Sequence, residues 1–114
     1  RRLDDLAEGD YRRNSPRFSG ANLSQNLSLV DRLTEIAARK KCHPSQLALA
    51  WLLARGGDIF PIPGTKHVNR LEENVGALQV QLTPEEVARL DAAFPAGAAA
   101  GTRYPEHAMK AVHR

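Results

Sequence analysis

The chain has 114 residues, 42% hydrophobic and 25% charged, a composition that fits one folded domain with a modest core and excludes intrinsic disorder as the default. Its 16 basic and 13 acidic residues leave a formal net charge of +3, but the signs are interleaved: Arg1, Arg2, Arg12, Arg13 and Arg17 share their stretch with Asp4, Asp5, Glu8 and Asp10, a solvated mixed surface rather than the one-signed face a nucleic acid needs. The longest apolar run, Leu47 to Ala54, falls far short of the roughly 20 residues of a membrane span, so neither nucleic acid nor membrane is expected as a partner.

The chain opens on Arg1-Arg2-Leu3 with neither an initiating Met nor an apolar signal core, so secretion is not expected and the chain reads as a fragment whose native start lies upstream. Residues 1–26 hold no sustained period and contain Gly9, Asn14, Ser15, Pro16 and Gly20, as an irregular connecting loop would. Loops of that length are uncommon inside a compact domain unless they have a function or belong to a larger structure. The main unit is expected over 27–94. Its first helix carries the stripe Leu29, Val30, Leu33, Ile36 and Ala37 and ends near Lys40 and Lys41, cations suited to a helix C-terminus. Cys42 is the single cysteine, so there is no internal disulfide, and with His43 as its only close partner it cannot complete a structural zinc site. A reducing, cytoplasmic compartment fits that usage.

Pro44 can open a second helix at its first position, where a missing N–H costs nothing. Leu47 through Ala54 leave that helix little polar face, so it is expected to be buried nearly all round and stopped by Gly56-Gly57. Ile59-Phe60-Pro61-Ile62-Pro63-Gly64 predicts one short strand near 59–63, which its prolines prevent from bonding fully on both sides. A third helix follows with Val68, Leu71, Val75 and Leu78 on its apolar stripe, while Arg70, Glu73 and Asn74 share a different face. Thr83-Pro84-Glu85-Glu86 supplies a capping Thr, a first-turn Pro and a capping-box Glu for the last helix, which buries Val87, Leu90 and Phe94. Residues 95–114 read as an Ala/Gly-rich tail in which Tyr104 and Met109 are able to dock. The alternation of helix, strand and helix assigns an α/β protein, although a lone strand cannot make a sheet.

The chemistry concentrates in residues 62–75. A strand ending in Gly64 and running through Thr65 into a helix presents backbone N–H groups and a positive helix end, which together make an anion site. Lys66 at the turn and Arg70 one helical turn on add two cations able to clamp a phosphate monoester. Glu73 and Asn74, on the face of Arg70, offer an acceptor and an amide for the edge of an adenine, so the set suits an adenosine 2′-phosphate. The competing reading makes Thr65 a simple helix cap and Lys66, Arg70 and Glu73 solvated surface pairs of little energetic worth.

Pro63 through Leu71, with Glu73 and Asn74, resembles the cofactor-binding signature of the aldo-keto reductases, where the end of the last barrel strand and the next helix hold NADPH. Ser45-Gln46-Leu47-Ala48-Leu49-Ala50-Trp51-Leu52-Leu53 and Leu82-Thr83-Pro84-Glu85-Glu86 are also similar, and Arg12-Arg13-Asn14-Ser15-Pro16-Arg17-Phe18 resembles the connection after the penultimate strand in bacterial members. The resemblance implies the C-terminal part of a (β/α)8 TIM barrel, mostly helical here, from an NADP-dependent oxidoreductase that reduces small carbonyl substrates. It implies that Gly64 and Thr65 approach the phosphate, that Lys66 and Arg70 bind the 2′-phosphate of NADPH, and that Glu73 and Asn74 meet the adenine. Such barrels run to about 250 residues, and the family's catalytic Asp, Tyr, Lys and His lie in the first half, so none is expected in this chain. Tyr11 and Tyr104 are not in the family's tyrosine context, and His43, His67, His107 and His113 read as ordinary surface or loop residues. With only the end of a barrel present, the 59–63 edge and the apolar second helix would invite self-association. The alternatives are a small basic helical DNA-binding module, disfavoured because Glu72 and Glu73 would face phosphates or bases, and a noncatalytic helical protein-interaction domain.

Overall fold

Caps and prolines set most of the element boundaries. The computed structural model describes residues 2–112, so Arg1, counted above among the mixed surface charges, and His113, read as a surface histidine, lie outside the described residues. The helices are α1 (Gly20–Lys40), α2 (Pro44–Leu53), α3 (Val68–Val75), α4 (Pro84–Ala93) and α5 (Glu106–Met109), with single 3-10 turns at Leu3–Asp5, Tyr11–Asn14, Pro16–Phe18 and Gly76–Gln79. Contacts divide the chain into two units, one of residues 30–95 and one of residues 1–29 with 96–114. None of these helices is long and apolar enough to cross a membrane.

In the 30–95 unit, α1 ends in a Schellman motif. Lys41 takes the left-handed conformation (φ 56°), and the N–H groups of Lys41 and Cys42 return to the carbonyls of Ala38 and Ala37, both at 3.1 Å. Pro44 then starts α2 while the Gln46 side chain accepts from the His43 N–H at 2.9 Å. The capping box of α4 forms as expected: Thr83 Oγ1 accepts from the Glu86 N–H at 3.2 Å, and Glu86 Oε2 accepts from the Thr83 N–H at 2.9 Å. The same Glu86 carboxylate pairs with Lys40 at 2.9 Å, and Lys40 also donates to the Gln81 carbonyl at 2.7 Å, which ties the end of α1 to the start of α4.

Between these helices Ala37, Leu47 and Leu90 form the buried centre, with Leu33, Ile36, Cys42, Trp51, Val80, Leu82 and Phe94 packed around it. Trp51 closes one end of this core: its ring lies 6.2 Å from that of Phe94, its indole N–H donates to Asp91 at 2.8 Å, and Arg55 lies over its face at 4.6 Å while also pairing with Asp91.

The other unit is held by side-chain amides. Asn26 donates to the carbonyls of Arg17 and Ala100, both at 2.9 Å, and accepts from the Ala100 N–H at 2.7 Å, pairing with that peptide as a strand neighbour would. Gly101 (φ +83°) then passes so close to the Pro16 carbonyl that a Cβ there would lie 2.8 Å from its oxygen. This unit also contains α5, in which Met109 is half-buried, while Tyr104 ahead of it is exposed.

Three sequence expectations are corrected, and one question the sequence leaves open is answered. The strand near 59–63 is not formed: among the described residues there is no strand, because the two prolines leave the segment few donors and no second strand lies beside it. The sequence places an apolar stripe on α3 without saying what it meets, and the stripe does not face a core. Val68, Leu71 and Val75 are each more than half exposed and Leu78 is 68% exposed, since periodicity shows which face is apolar but not whether a surface exists to cover it. For the same reason α2 buries Leu47 and Ala50 but exposes Leu52 and Leu53. Finally, α1 begins at Gly20, inside the stretch expected to be irregular, where Asn22 and Asn26 bond to the carbonyls of Pro16 and Arg17.

Leu47 and Leu90 are the largest fully buried side chains. Leu90→Ala is expected to cost about 2–5 kcal/mol, as large-to-small core substitutions do. Leu78→Ala, on the exposed stripe, should stay within about 0.5 kcal/mol. Urea unfolding midpoints of the two variants check the contrast.

Candidate functional site

Phe60 and Ile62 precede prolines, which disfavours helix at both positions and leaves the segment up to Gly64 without regular structure. Beyond it the chain turns. Thr65 Oγ1 accepts from the His67 N–H at 3.1 Å and donates to the His67 carbonyl at 3.3 Å, a local turn that delivers His67 as the first residue flanking α3. The helix then bonds normally, with the Arg70 and Leu71 N–H groups both reaching the His67 carbonyl at 3.1 Å. The N–H groups of Lys66, Val68 and Asn69 donate to no described group, and the Lys66 ammonium has no described partner. Thr65, Lys66, His67, Val68 and Leu71 line a shallow open depression of about 260 Å³ at this turn. A helix start with free donors and a free ammonium is an anion-binding arrangement.

Arg70 stands on the same helix, 61% exposed at its side chain, and its guanidinium pairs with Glu73 at 2.7 Å. The pair is what the surface-pair reading expected, but Glu73 is not a solvated partner. Its side chain is only 16% exposed, and its carboxylate also accepts from the Ser45 hydroxyl of α2. Gln46, on the next residue of α2, donates to the Glu73 carbonyl at 2.9 Å. The Ser45 hydroxyl, and secondarily the Arg70 guanidinium, hold the Glu73 carboxyl below its ordinary value of 4.5.

The structure therefore brings Arg70 and Glu73 into contact and gathers Thr65 and Lys66 around the depression, whereas Gly64, Arg70, Glu73 and Asn74 do not line it. Asn74 is half-buried and its amide has no described partner. Ser45 and Gln46, which position Glu73 from α2, escape a reading of residues 62–75 alone. Their signal lay in two polar residues in the first turn of an otherwise apolar helix. Among the described residues no group of three or more His, Cys, Asp and Glu is placed to hold a metal ion, and burial pushes the Cys42 thiol up from its ordinary value.

Acidification tests the Glu73 anchor. Because its folded pKa is depressed, the stability it contributes is present above 4.5 and is lost as pH falls through the lower folded value. Glu86, held low by the Thr83 N–H and then by Lys40, behaves the same way. Glu73→Gln is expected to be less stable than the parent at neutral pH and to lose less on acidification below 4.5. Urea midpoints across that range check it; parallel curves for parent and variant would contradict the anchor.

Two comparisons with known proteins bear on this turn. The sequence profile described as the aldo/keto reductase family matches residues 3–94. The chain is also 49% identical over 102 residues to a Schizosaccharomyces pombe protein named aldo-keto reductase yakc [NADP(+)]. That alignment covers 90% of this chain and 30% of the relative, so the chain spans under a third of the relative's length.

Proposed function

The chain belongs to the aldo/keto reductase family, and from that premise we propose that it is the NADPH-binding, C-terminal portion of a (β/α)8 oxidoreductase that reduces aldehydes or ketones. The observation that carries the reading is the α3 start, where free N–H groups and the unpaired Lys66 ammonium surround an open depression and Arg70 follows on the next turn. The relative's name, which includes NADP(+), supports the choice of cofactor.

In this reading each residue has a physical task. Gly64, with no Cβ and nothing within 4 Å of where one would stand, lets the backbone approach the cofactor phosphate, and the Thr65 hydroxyl shapes the turn that aims the N–H groups. Lys66 and Arg70 neutralise the adenosine 2′-phosphate. Arg70 can do so without leaving Glu73, because the pair occupies one nitrogen of a guanidinium that carries five donor hydrogens. Glu73, fastened to α2, keeps that fork in place and offers its remaining lone pairs to the adenine, with the Asn74 amide beside it. NADPH, when bound, supplies the hydride; this chain supplies affinity and orientation.

Reduction also needs a proton donor beside the substrate carbonyl. Tyr11 and Tyr104 are exposed residues of the other unit, and His43, His67 and His107 are exposed as well. The chain of 114 residues is accordingly expected to show no NADPH-dependent turnover of a generic aldehyde. Turnover by pure material would place a catalytic acid in this sequence and overturn that division of labour.

A fluorescence titration with both cofactors tests the cofactor assignment. A hydrogen bond to a charged group contributes about 1.5–3 kcal/mol, so Lys66→Ala or Arg70→Ala should weaken NADPH binding by about tenfold or more. NADH lacks the 2′-phosphate and should lose far less. Glu73→Ala should weaken both cofactors. NADPH bound as tightly by Lys66→Ala and Arg70→Ala as by the parent would return these cations to the surface-pair reading.

A further inference from the structure

The Arg70–Glu73 contact is one-sided. A guanidinium and a carboxylate that are free to choose their geometry favour a two-pronged pair, two nitrogens on two oxygens. Here Arg70 gives a single contact, from Nη1 to Glu73 Oε2 at 2.7 Å. The other carboxylate oxygen, Oε1, accepts from the Ser45 hydroxyl of α2. Each oxygen of Glu73 thus has its own donor, and the two donors come from different helices.

Ser45 is held at this place by its neighbours. Pro44 opens α2 immediately before it, and the Gln46 amide immediately after it is engaged at both ends. Its Oε1 accepts from the His43 N–H at 2.9 Å, and its Nε2 donates to the Glu73 carbonyl at 2.9 Å. Gln46 fits because residue 76 is glycine: a Cβ there would overlap its Nε2. The start of α2 therefore delivers the Ser45 hydroxyl to the Glu73 side chain whatever Arg70 does. That hydroxyl also outweighs Arg70 in holding the carboxyl below its ordinary value, so Glu73 stays ionised without a full ion pair.

We propose that Ser45 is a positioning residue for the adenosine 2′-phosphate: by occupying one oxygen of Glu73 it limits Arg70 to a single-nitrogen contact and leaves the remaining guanidinium donors to the phosphate. The proposal rests on the cofactor reading and adds to it a residue of the preceding helix. Without the hydroxyl, the Glu73 carboxylate is still tethered through its backbone by Gln46 but is free to turn both oxygens toward Arg70. A phosphate then has to displace a second nitrogen–oxygen bond before it can use that edge of the fork. If Ser45 merely packed α2 on α3, its loss would be felt alike by every ligand of α3.

The test is a fluorescence titration, at fixed ionic strength, of the 114-residue chain and its Ser45→Ala, Ser45→Thr, Arg70→Ala and Ser45→Ala/Arg70→Ala variants with NADPH and NADH. Ala favours helix and leaves both Gln46 bonds in place, and urea midpoints verify that each variant folds. The energy of one exposed ion-pair contact sets the scale, so Ser45→Ala should weaken NADPH about fivefold and leave NADH, which has no 2′-phosphate, within about twofold. Ser45→Thr keeps the hydroxyl and should bind both cofactors as the parent does. In the Arg70→Ala background, Ser45→Ala should have no further effect on NADPH, because the guanidinium it acts through is gone. With NADPH weakened by Arg70→Ala, three results overturn the proposal and leave the cofactor reading standing: no loss from Ser45→Ala, equal losses for NADPH and NADH, or a loss that persists in full beside Arg70→Ala. NADPH binding that is absent, or unchanged by Arg70→Ala, overturns the cofactor reading and the positioning role with it.

Discussion

The polar tie between α2 and α3 through Glu73 is the interaction on which the candidate site depends. A helix of α3's composition would ordinarily be held by its apolar stripe, but Val68, Leu71 and Val75 lie on an exposed face. What joins α3 to the rest of its unit is the Ser45 hydroxyl on the Glu73 carboxylate, the Gln46 amide on the Glu73 carbonyl, and the burial of Ala77 in the turn that follows. Carboxylate bonds of this type are charge-assisted and directional. They fix the rotation of α3 and with it the direction in which Arg70 and the free N–H groups point. Removing Ser45 would therefore reach the anion site without touching it.

The same economy shapes the rest of the unit. Its buried centre is small, with Ala37, Leu47 and Leu90 at the middle, and much of the remaining order comes from polar ties at helix ends. Lys40, Glu86, Thr83 and Gln81 lock the end of α1 onto the start of α4, while Asp91 holds both Trp51 and Arg55. The apolar residues that these ties leave uncovered are Phe60 and Ile62 on one segment and the α3 stripe on another.

Local signals were legible in the sequence wherever a short-range rule decides the outcome. Pro44 starting α2 and the reciprocal capping of Thr83 and Glu86 are of this kind, since each depends on residues within one turn. The Gly-Thr-Lys turn and its helix were legible in the same way, and the family resemblance rested on them. Long-range facts were not legible. Nothing in the period of Val68, Leu71, Val75 and Leu78 says whether a facing surface exists, and a proline-punctuated apolar run looks the same whether or not a neighbouring strand is present. The partners of Glu73 lie on another helix, so the sequence offered the residue but not its anchor. The early start of α1 was hidden because its first turns bond through asparagine side chains rather than through an apolar stripe.

The central claim is that Lys66 and Arg70 make this turn a site for the adenosine 2′-phosphate. Phosphorus-31 resonance of NADPH, titrated with pH in the presence of saturating chain, tests it most directly because it reads the 2′-phosphate separately from the pyrophosphate. A phosphate monoester loses its second proton at about pH 6, and two adjacent cations favour the dianion, so that pKa should fall on binding. A 2′-phosphate that titrates as it does in free NADPH, with the chain bound elsewhere on the cofactor, would contradict the account.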